Sequence, residues 1–155
     1  MAPPLLFDIS TLDFDHPMYD TQGVERVNPH RGHMRLIDAV VYHHELETVA
    51  YKDVRHDEFW VQGHIPGRPV FPGVLMIEAA AQVASFISLL KLGGQSFMGF
   101  AGVDDVKFRG QVVPGDRLII LCKELEFRPR RCICATQGLV NGNLVFEATI
   151  TGMPM

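Results

Sequence analysis

The stretch His64-Ile-Pro-Gly-Arg-Pro-Val-Phe-Pro-Gly-Val-Leu-Met-Ile-Glu78-Ala-Ala-Ala-Gln82 decides how this chain is read, because a proline- and glycine-rich loop runs straight into the most apolar segment of the sequence. Pro72 suits a first helical turn, where the N–H it lacks has no acceptor to serve. Gly93-Gly94 supplies a left-handed stop, so a helix is expected from about 72 to 91, roughly 30 Å long. Val74, Leu75, Met76, Ile77, Val83, Phe86, Ile87, Leu89 and Leu90 cover nearly every side, as in a helix buried all round. Ala79, Ala80, Ala81 and Ala84 keep its middle thin, so that strands can pass close. One stripe breaks the pattern: Glu78, Gln82 and Ser85 fall at i, i+4 and i+7 and share a face. A carboxylate there is costly unless it faces a polar pocket or is held neutral.

Outward from the helix, β-branched and alternating runs predict strands over 34–41 and 47–54, with a polar turn at His43-His44-Glu45. Four more follow, over 97–108, 117–127, 132–140 and 144–151, with Pro114-Gly115-Asp116 as a turn and Asn141-Gly142 as a tight hairpin. The order β-β-α-β-β-β-β defines an α+β protein, an antiparallel sheet curled around a long central helix. Residues 1–24 carry Pro, Asp8, Asp13, Asp15 and Asp20 without a sustained period. They are expected to form a peripheral arm, with a short helix possible after Ser10-Thr11, ahead of a single domain over 25–155.

Composition narrows the function. A net charge of −4 argues against a nucleic-acid partner. The N-terminus lacks the basic start and apolar run of a secretory signal. The apolar run 74–90 contains Glu78 and Gln82, so it is read as a core helix and no membrane span is expected. Cys122, Cys132 and Cys134 show no CxxC spacing and read as thiols of a reducing cytoplasm. His30-x-x-His33 lacks a third ligand, so no metal is expected.

Two proton-transfer groups remain, His64 and Glu78, fourteen residues apart around a stiff turn. Imidazole titrates near neutral pH and suits a general base; a carboxyl kept protonated by apolar surroundings suits a general acid. Gly73 stands at the helix N-terminus, where free N–H groups and the helix dipole favour negative charge. One such donor to a developing oxyanion contributes about 3 kcal/mol. Base, acid and oxyanion donor together fit proton abstraction next to a carbonyl with protonation of a leaving group. Gln82 is the supporting polar residue.

The opening stretch closely resembles the hallmark of the 3-hydroxyacyl-[acyl-carrier-protein] dehydratases of the FabZ class. Asn28-Pro-His-Arg31, Gln62-Gly63, Phe100-Ala-Gly-Val-Asp104, Lys107-Phe-Arg109 and Val113-Pro-Gly-Asp116 match the same family in the same order. The resemblance implies a hotdog fold and a homodimer, or a trimer of dimers, whose sites are shared between subunits. It implies that His64 of one subunit removes the α-proton of a 3-hydroxyacyl thioester while Glu78 of the other protonates the departing hydroxyl. Gly73 N–H would hold the thioester oxygen. The substrate would ride on the phosphopantetheine of an acyl carrier protein or on coenzyme A, with no further cofactor. Glu rather than Asp at 78 resembles the dehydratase-only class.

Candidates for an acyl tunnel are Phe71, Met76, Phe86, Met98 and Phe100. Candidates for carrier docking are Arg31, Lys107, Arg109, Arg128, Arg130 and Arg131. The chain departs from the family at Gly32-His33-Met34, Ile37-Asp38-Ala39 and Trp60, which leaves acyl length and pathway open. A hotdog acyl-thioesterase and a non-catalytic acyl-binding subunit are the competing readings. A thioesterase has no evident use for the histidine, and a binding subunit would need neither His64 nor Glu78.

Overall fold

In the computed structural model, which describes residues 2–94 and 96–155, the chain runs α1 (Thr21–Val27), a 3-10 turn (Gly32–Met34), β1 (Ala39–His44), β2 (Glu47–Asp53), α2 (Gly73–Lys91), β3 (Met98–Phe108), β4 (Arg117–Arg128), β5 (Arg131–Val140) and β6 (Asn143–Pro154). The six strands form one antiparallel sheet in the order β1-β2-β4-β5-β6-β3. The β5–β6 hairpin closes at Asn141-Gly142, with φ values of 50° and 78°, the backbone that a two-residue turn between twisted strands requires.

Helix α2 packs against β2 through β6, so the sheet wraps it as expected for a hotdog fold. Period-two alternation sorts the strands: Leu118, Ile120 and Cys122 of β4 join the cluster around α2, while Leu121 belongs to a second cluster with Val41, Val49 and Leu139. Helix α2 is long and apolar enough to cross a membrane, yet most of it is buried inside the sheet. Gly93 and Gly94 end it with φ of 70° and 72°, the Gly94 N–H donating to the Leu89 carbonyl.

The N-terminal arm is packed onto the domain from outside. Leu6, Phe7, Ile9, Leu12 and Phe14 pack on the second cluster and cover the outer face of the sheet. The Leu6 N–H donates to Gln137 Oε1, and Gln137 Nε2 donates to the Pro4 carbonyl. Its apolar residues lack a period because an irregular strap follows the surface it covers rather than its own helix or strand repeat. The helix in this region is α1, not one after Ser10-Thr11; Asp20 Oδ1 caps it by accepting from Gly23 N–H at 2.8 Å. Val24 enters the main core, so a division at residue 24 falls inside α1. Strand β1 starts at Ala39 rather than 34, because the Leu36 N–H is taken by the Gln82 side chain and residues 32–34 form the 3-10 turn. It also runs through His44, with the turn at Glu45, where φ is 52°.

A buried ion pair ties the segment ahead of His64 to β2. Lys52 and Glu58 are 2% and 5% exposed, and Nζ lies 2.9 Å from Oε1, which also accepts the Arg55 N–H. Removing one partner strands a charge in the core. Glu58→Ala is therefore expected to cost about 3–5 kcal/mol in denaturant unfolding. The double change Lys52→Met with Glu58→Leu should recover most of that loss, since it removes both charges and fills the space.

Candidate active site

His64 is exposed, but its ring is anchored. Its Nδ1 lies 2.8 Å from the Val70 carbonyl oxygen. A carbonyl only accepts, so in the neutral imidazole Nδ1 carries the proton and Nε2 keeps its lone pair. The loop is closed by Val70 N–H donating to the His64 carbonyl at 2.9 Å and by His64 N–H donating to the Trp60 carbonyl at 2.8 Å. Phe71 N–H donates to the Val112 carbonyl at 2.7 Å and fixes the far end. Backbone alone thus presents this histidine in the tautomer a base needs.

The loop leads directly into the N-terminus of α2. The Leu75 and Met76 N–H groups both donate to the Pro72 carbonyl, while those of Gly73 and Val74 have no acceptor among the described residues. A Cβ at position 73 would lie 2.8 Å from Cε1 of Phe108, so any side chain there must push this half-exposed ring aside. His64 and Gly73 therefore sit on one short, braced segment.

Glu78 lies one and a half turns into α2, its side chain 26% exposed. Its Oε1 accepts from Gln82 Nε2 at 3.0 Å. Gln82 is almost fully buried, and its amide is used at both ends: Nε2 also donates to the Met34 carbonyl at 2.7 Å, and Oε1 accepts the Leu36 N–H at 2.9 Å. Asn28 Nδ2 donates to the Gln82 carbonyl at 2.9 Å. This cluster bolts residues 28–36 to the helix and brings His30 to the acid, with Nε2 3.7 Å from Glu78 Oε1. Burial holds the His30 imidazole below its usual pKa; the Glu78 charge opposes that shift and the Arg31 charge adds to it.

Glu78 and His30 line a small cavity of about 40 Å³ whose walls include Ala84, Ser85, Met98, Phe100 and Cys132. His64 does not line it, so His64 and Glu78 of one chain face different spaces. Among the tunnel candidates, Met98 and Phe100 line this cavity, whereas Phe71, Met76 and Phe86 belong to the main core. Phe71 packs on Trp60, and Phe86 meets Tyr19 edge-on.

Of the basic candidates, Arg31 donates to the carbonyls of Asn28, His30 and Glu25, which makes it a brace for the loop that holds His30. Arg109 pairs with Glu147, and Arg128 and Arg131 share Glu126. Lys107 and Arg130 are exposed. His33 stands against Phe59, apart from His30. Sequence reasoning did not single out His30 as a site residue. The signal available was its place in Asn28-Pro-His-Arg31, but nothing in the spacing connects that motif to Glu78.

The fold and this constellation define a hotdog protein with a carboxyl group lining a small cavity of mixed polar and apolar walls. The FabA-like domain matches residues 28–149, and the chain belongs to that family. It is 40% identical over 135 residues to the 3-hydroxyacyl-[acyl-carrier-protein] dehydratase FabZ of Streptococcus sanguinis, covering 86% of this chain and 96% of that protein. With the FabZ of Lawsonia intracellularis it shares 39% over 143 residues, 88% of this chain and 93% of the other. Among solved structures it resembles the dehydratase heterocomplex ApeI:P from Xenorhabdus doucetiae, with a TM-score of 0.75 at 17% identity over 85% of this chain and 90% of that one. A putative thioesterase from Silicibacter sp. TM1040 gives 0.66 at 14% identity, over 90% and 94%. At these identities the structural likenesses speak for the hotdog fold.

The packing of Phe108 on Gly73 generates a direct test. Gly73→Ala forces the ring aside and is expected to cost about 1–3 kcal/mol of stability, read by thermal unfolding. Adding Phe108→Ala should relieve that clash, so the double variant should lose less than the two single losses added together.

Proposed function

We propose that the protein dehydrates 3-hydroxyacyl thioesters, carried on an acyl carrier protein, to trans-2-enoyl thioesters for fatty-acid or related lipid synthesis. The observation that carries this reading is Glu78, a carboxyl group held by a buried amide and lining a small cavity, in a chain 40% identical to a FabZ dehydratase.

In the proposed reaction His64 Nε2 takes the α-proton of the substrate. The electrons of that C–H bond form the new double bond as the C–O bond at the β-carbon breaks. Glu78 gives its proton to the departing hydroxyl, which leaves as water. Negative charge gathering on the thioester oxygen meets the free Gly73 N–H. Proton exchange with water resets both groups. Elimination of water changes no oxidation state, so the proposal includes no cofactor beyond the phosphopantetheine that carries the acyl group.

We further propose a homodimer built through β3, with His64 and Gly73 of one subunit serving Glu78 of the other. Strand β3 is the last in the sheet, and along it Phe100, Val103 and Phe108 are all exposed. Such an edge is a template for another strand. Carrier docking falls to Lys107 and Arg109, which flank the Phe108 that rests on Gly73, with Arg128, Arg130 and Arg131 as a second basic group. The buried free thiols Cys122, Cys132 and Cys134 support a reducing, cytoplasmic setting.

Enoyl absorbance and free thiol, followed together with carrier-bound 3-hydroxyacyl substrates, test the reaction. Enoyl formation without thiol release is expected; thiol release would instead make the protein a thioesterase, and neither signal would make it a binding subunit. His64→Ala and Glu78→Gln should each lower turnover by at least about a thousandfold while leaving the assembly intact. Mixing the two inactive variants under conditions of subunit exchange should restore about a quarter of the sites, since random pairing makes half the dimers mixed and each mixed dimer holds one intact site. Mixed dimers without activity would overturn the shared site.

A further inference from the structure

We infer that His30 is a positioning residue for Glu78, an assignment that rests on the dehydratase reading: the Gln82 amide holds Oε1 of Glu78, and the His30 Nε2–H stands beside that oxygen, placed to close on it as charge gathers there, leaving Oε2 to carry the proton that is transferred. Gln82 Nε2 hydrogen-bonds this oxygen at 3.0 Å, while His30 Nε2 lies 3.7 Å from it, just beyond hydrogen-bond reach. Oε2 has no partner among the described residues, and His30 and Glu78 line one cavity.

The surroundings fix the imidazole's orientation and its tautomer. His30 Nδ1 is buried without a hydrogen-bond partner. A proton there would be an unsatisfied donor, which costs more than an unsatisfied ring acceptor beside a carboxyl, so the proton belongs on Nε2. Arg31 holds the carbonyls of residues 25, 28 and 30 at 2.7–2.8 Å, and Asn28 is bonded to the helix backbone, so the loop that presents the ring is braced on both sides.

The chemical consequence follows from when charge appears. A donor beside Oε1 gains most once the carboxyl carries charge. As the C–O bond breaks and the Oε2 proton leaves with the hydroxyl, the carboxyl becomes an anion, and the Gln82 donor on Oε1, with the His30 N–H beside it, then stabilises it. A cationic imidazole would favour the anion earlier and strip the acid of its proton before substrate arrives. Burial and the nearby Arg31 charge both disfavour the cationic ring, against the pull of a charged Glu78. The contribution therefore falls on the chemical step and not on substrate binding.

Three substitutions at one position separate this from a packing role. His30→Gln places an amide nitrogen near the Nε2 position, His30→Asn reaches only the Nδ1 position, and His30→Leu removes the donor. With a carrier-bound 3-hydroxyacyl substrate, His30→Leu is expected to lose about tenfold in kcat with KM within about twofold. His30→Asn should match it, and His30→Gln should recover at least half of wild-type kcat. All are measured at a temperature where circular dichroism shows each variant folded. Full kcat in His30→Leu, or equal kcat in the Asn and Gln variants, would overturn the assignment. Glu78→Gln runs in the same series. If it is inactive while His30→Leu is unimpaired, only the role of His30 fails; if Glu78→Gln itself turns over, the acid has been misassigned and His30 falls with it.

Discussion

A carboxyl group on the face of a nearly all-apolar helix has to be solvated by protein, and here a single amide does most of that. Gln82 lies one turn beyond Glu78, is 1% exposed, and uses both ends of its side chain. Leaving a buried amide unpaired costs on the order of 1–3 kcal/mol per group, so its three partners are held as firmly as it is. Two of those partners, the Leu36 N–H and the Met34 carbonyl, are backbone. The same side chain that orients the acid therefore also fixes the path of residues 28–36 across the helix. That path delays the start of β1, seats α1 beside the core and carries His30 to the cavity.

The sheet handles its surfaces unequally. Its outer face is covered by the N-terminal strap, and the β1 edge is occupied by residues 18–19, where Tyr19 exchanges backbone hydrogen bonds with Val40 at 2.9 and 3.0 Å. Strand β3 receives no such cover. It is eleven residues long, and a bulge between Asp104 and Lys107, with Asp105 at φ 52°, interrupts its pairing with β6 near one end. Edge strands left long and apolar are hazards unless something pairs with them. With helix α2 on the inner face, three of four boundaries are closed by the described residues, which makes the open β3 edge conspicuous as a place for assembly.

Much of this was legible because its causes are local. Pro72 and Gly93-Gly94 bound the helix through backbone freedom, Asn141-Gly142 sets a hairpin through positive φ, and period-two alternation sorts the strands. The stripe Glu78, Gln82, Ser85 pointed to a polar contact within the helix, and Gln82 does bond Glu78. What the sequence hid was set by partners far along the chain. The strap over the outer face owes its place to Gln137 and to Leu121, more than a hundred residues away. Strand β1 begins late because of a side chain forty-six residues beyond it. His30 reaches Glu78 only through Gln82, and Arg31, a basic residue that reads as a docking group, spends its guanidinium on three carbonyls. No local pattern encodes these contacts, since each depends on where another element finally lies.

The division of the site between an open half and an enclosed half has a physical logic. His64 and Gly73 occupy an exposed segment: Ile65 is 53% and Val74 72% exposed. Glu78 stands at the mouth of the cavity beside Met98 and Phe100 of β3. A base in water and an oxyanion donor in water are both weak, because solvent competes for the same hydrogen bonds and screens the developing charge. The exposed half therefore needs a lid that also brings an acid, and no group of its own chain supplies one. A second copy paired along β3 carries both an apolar wall and a carboxyl held by Gln82. On this reasoning the apolar edge and the stiff His64–Gly73 segment are two parts of one constraint. In the proposed dimer each half is built rigidly by its own chain and symmetry unites them, so exclusion of water and assembly of the proposed catalytic groups would occur in the same step.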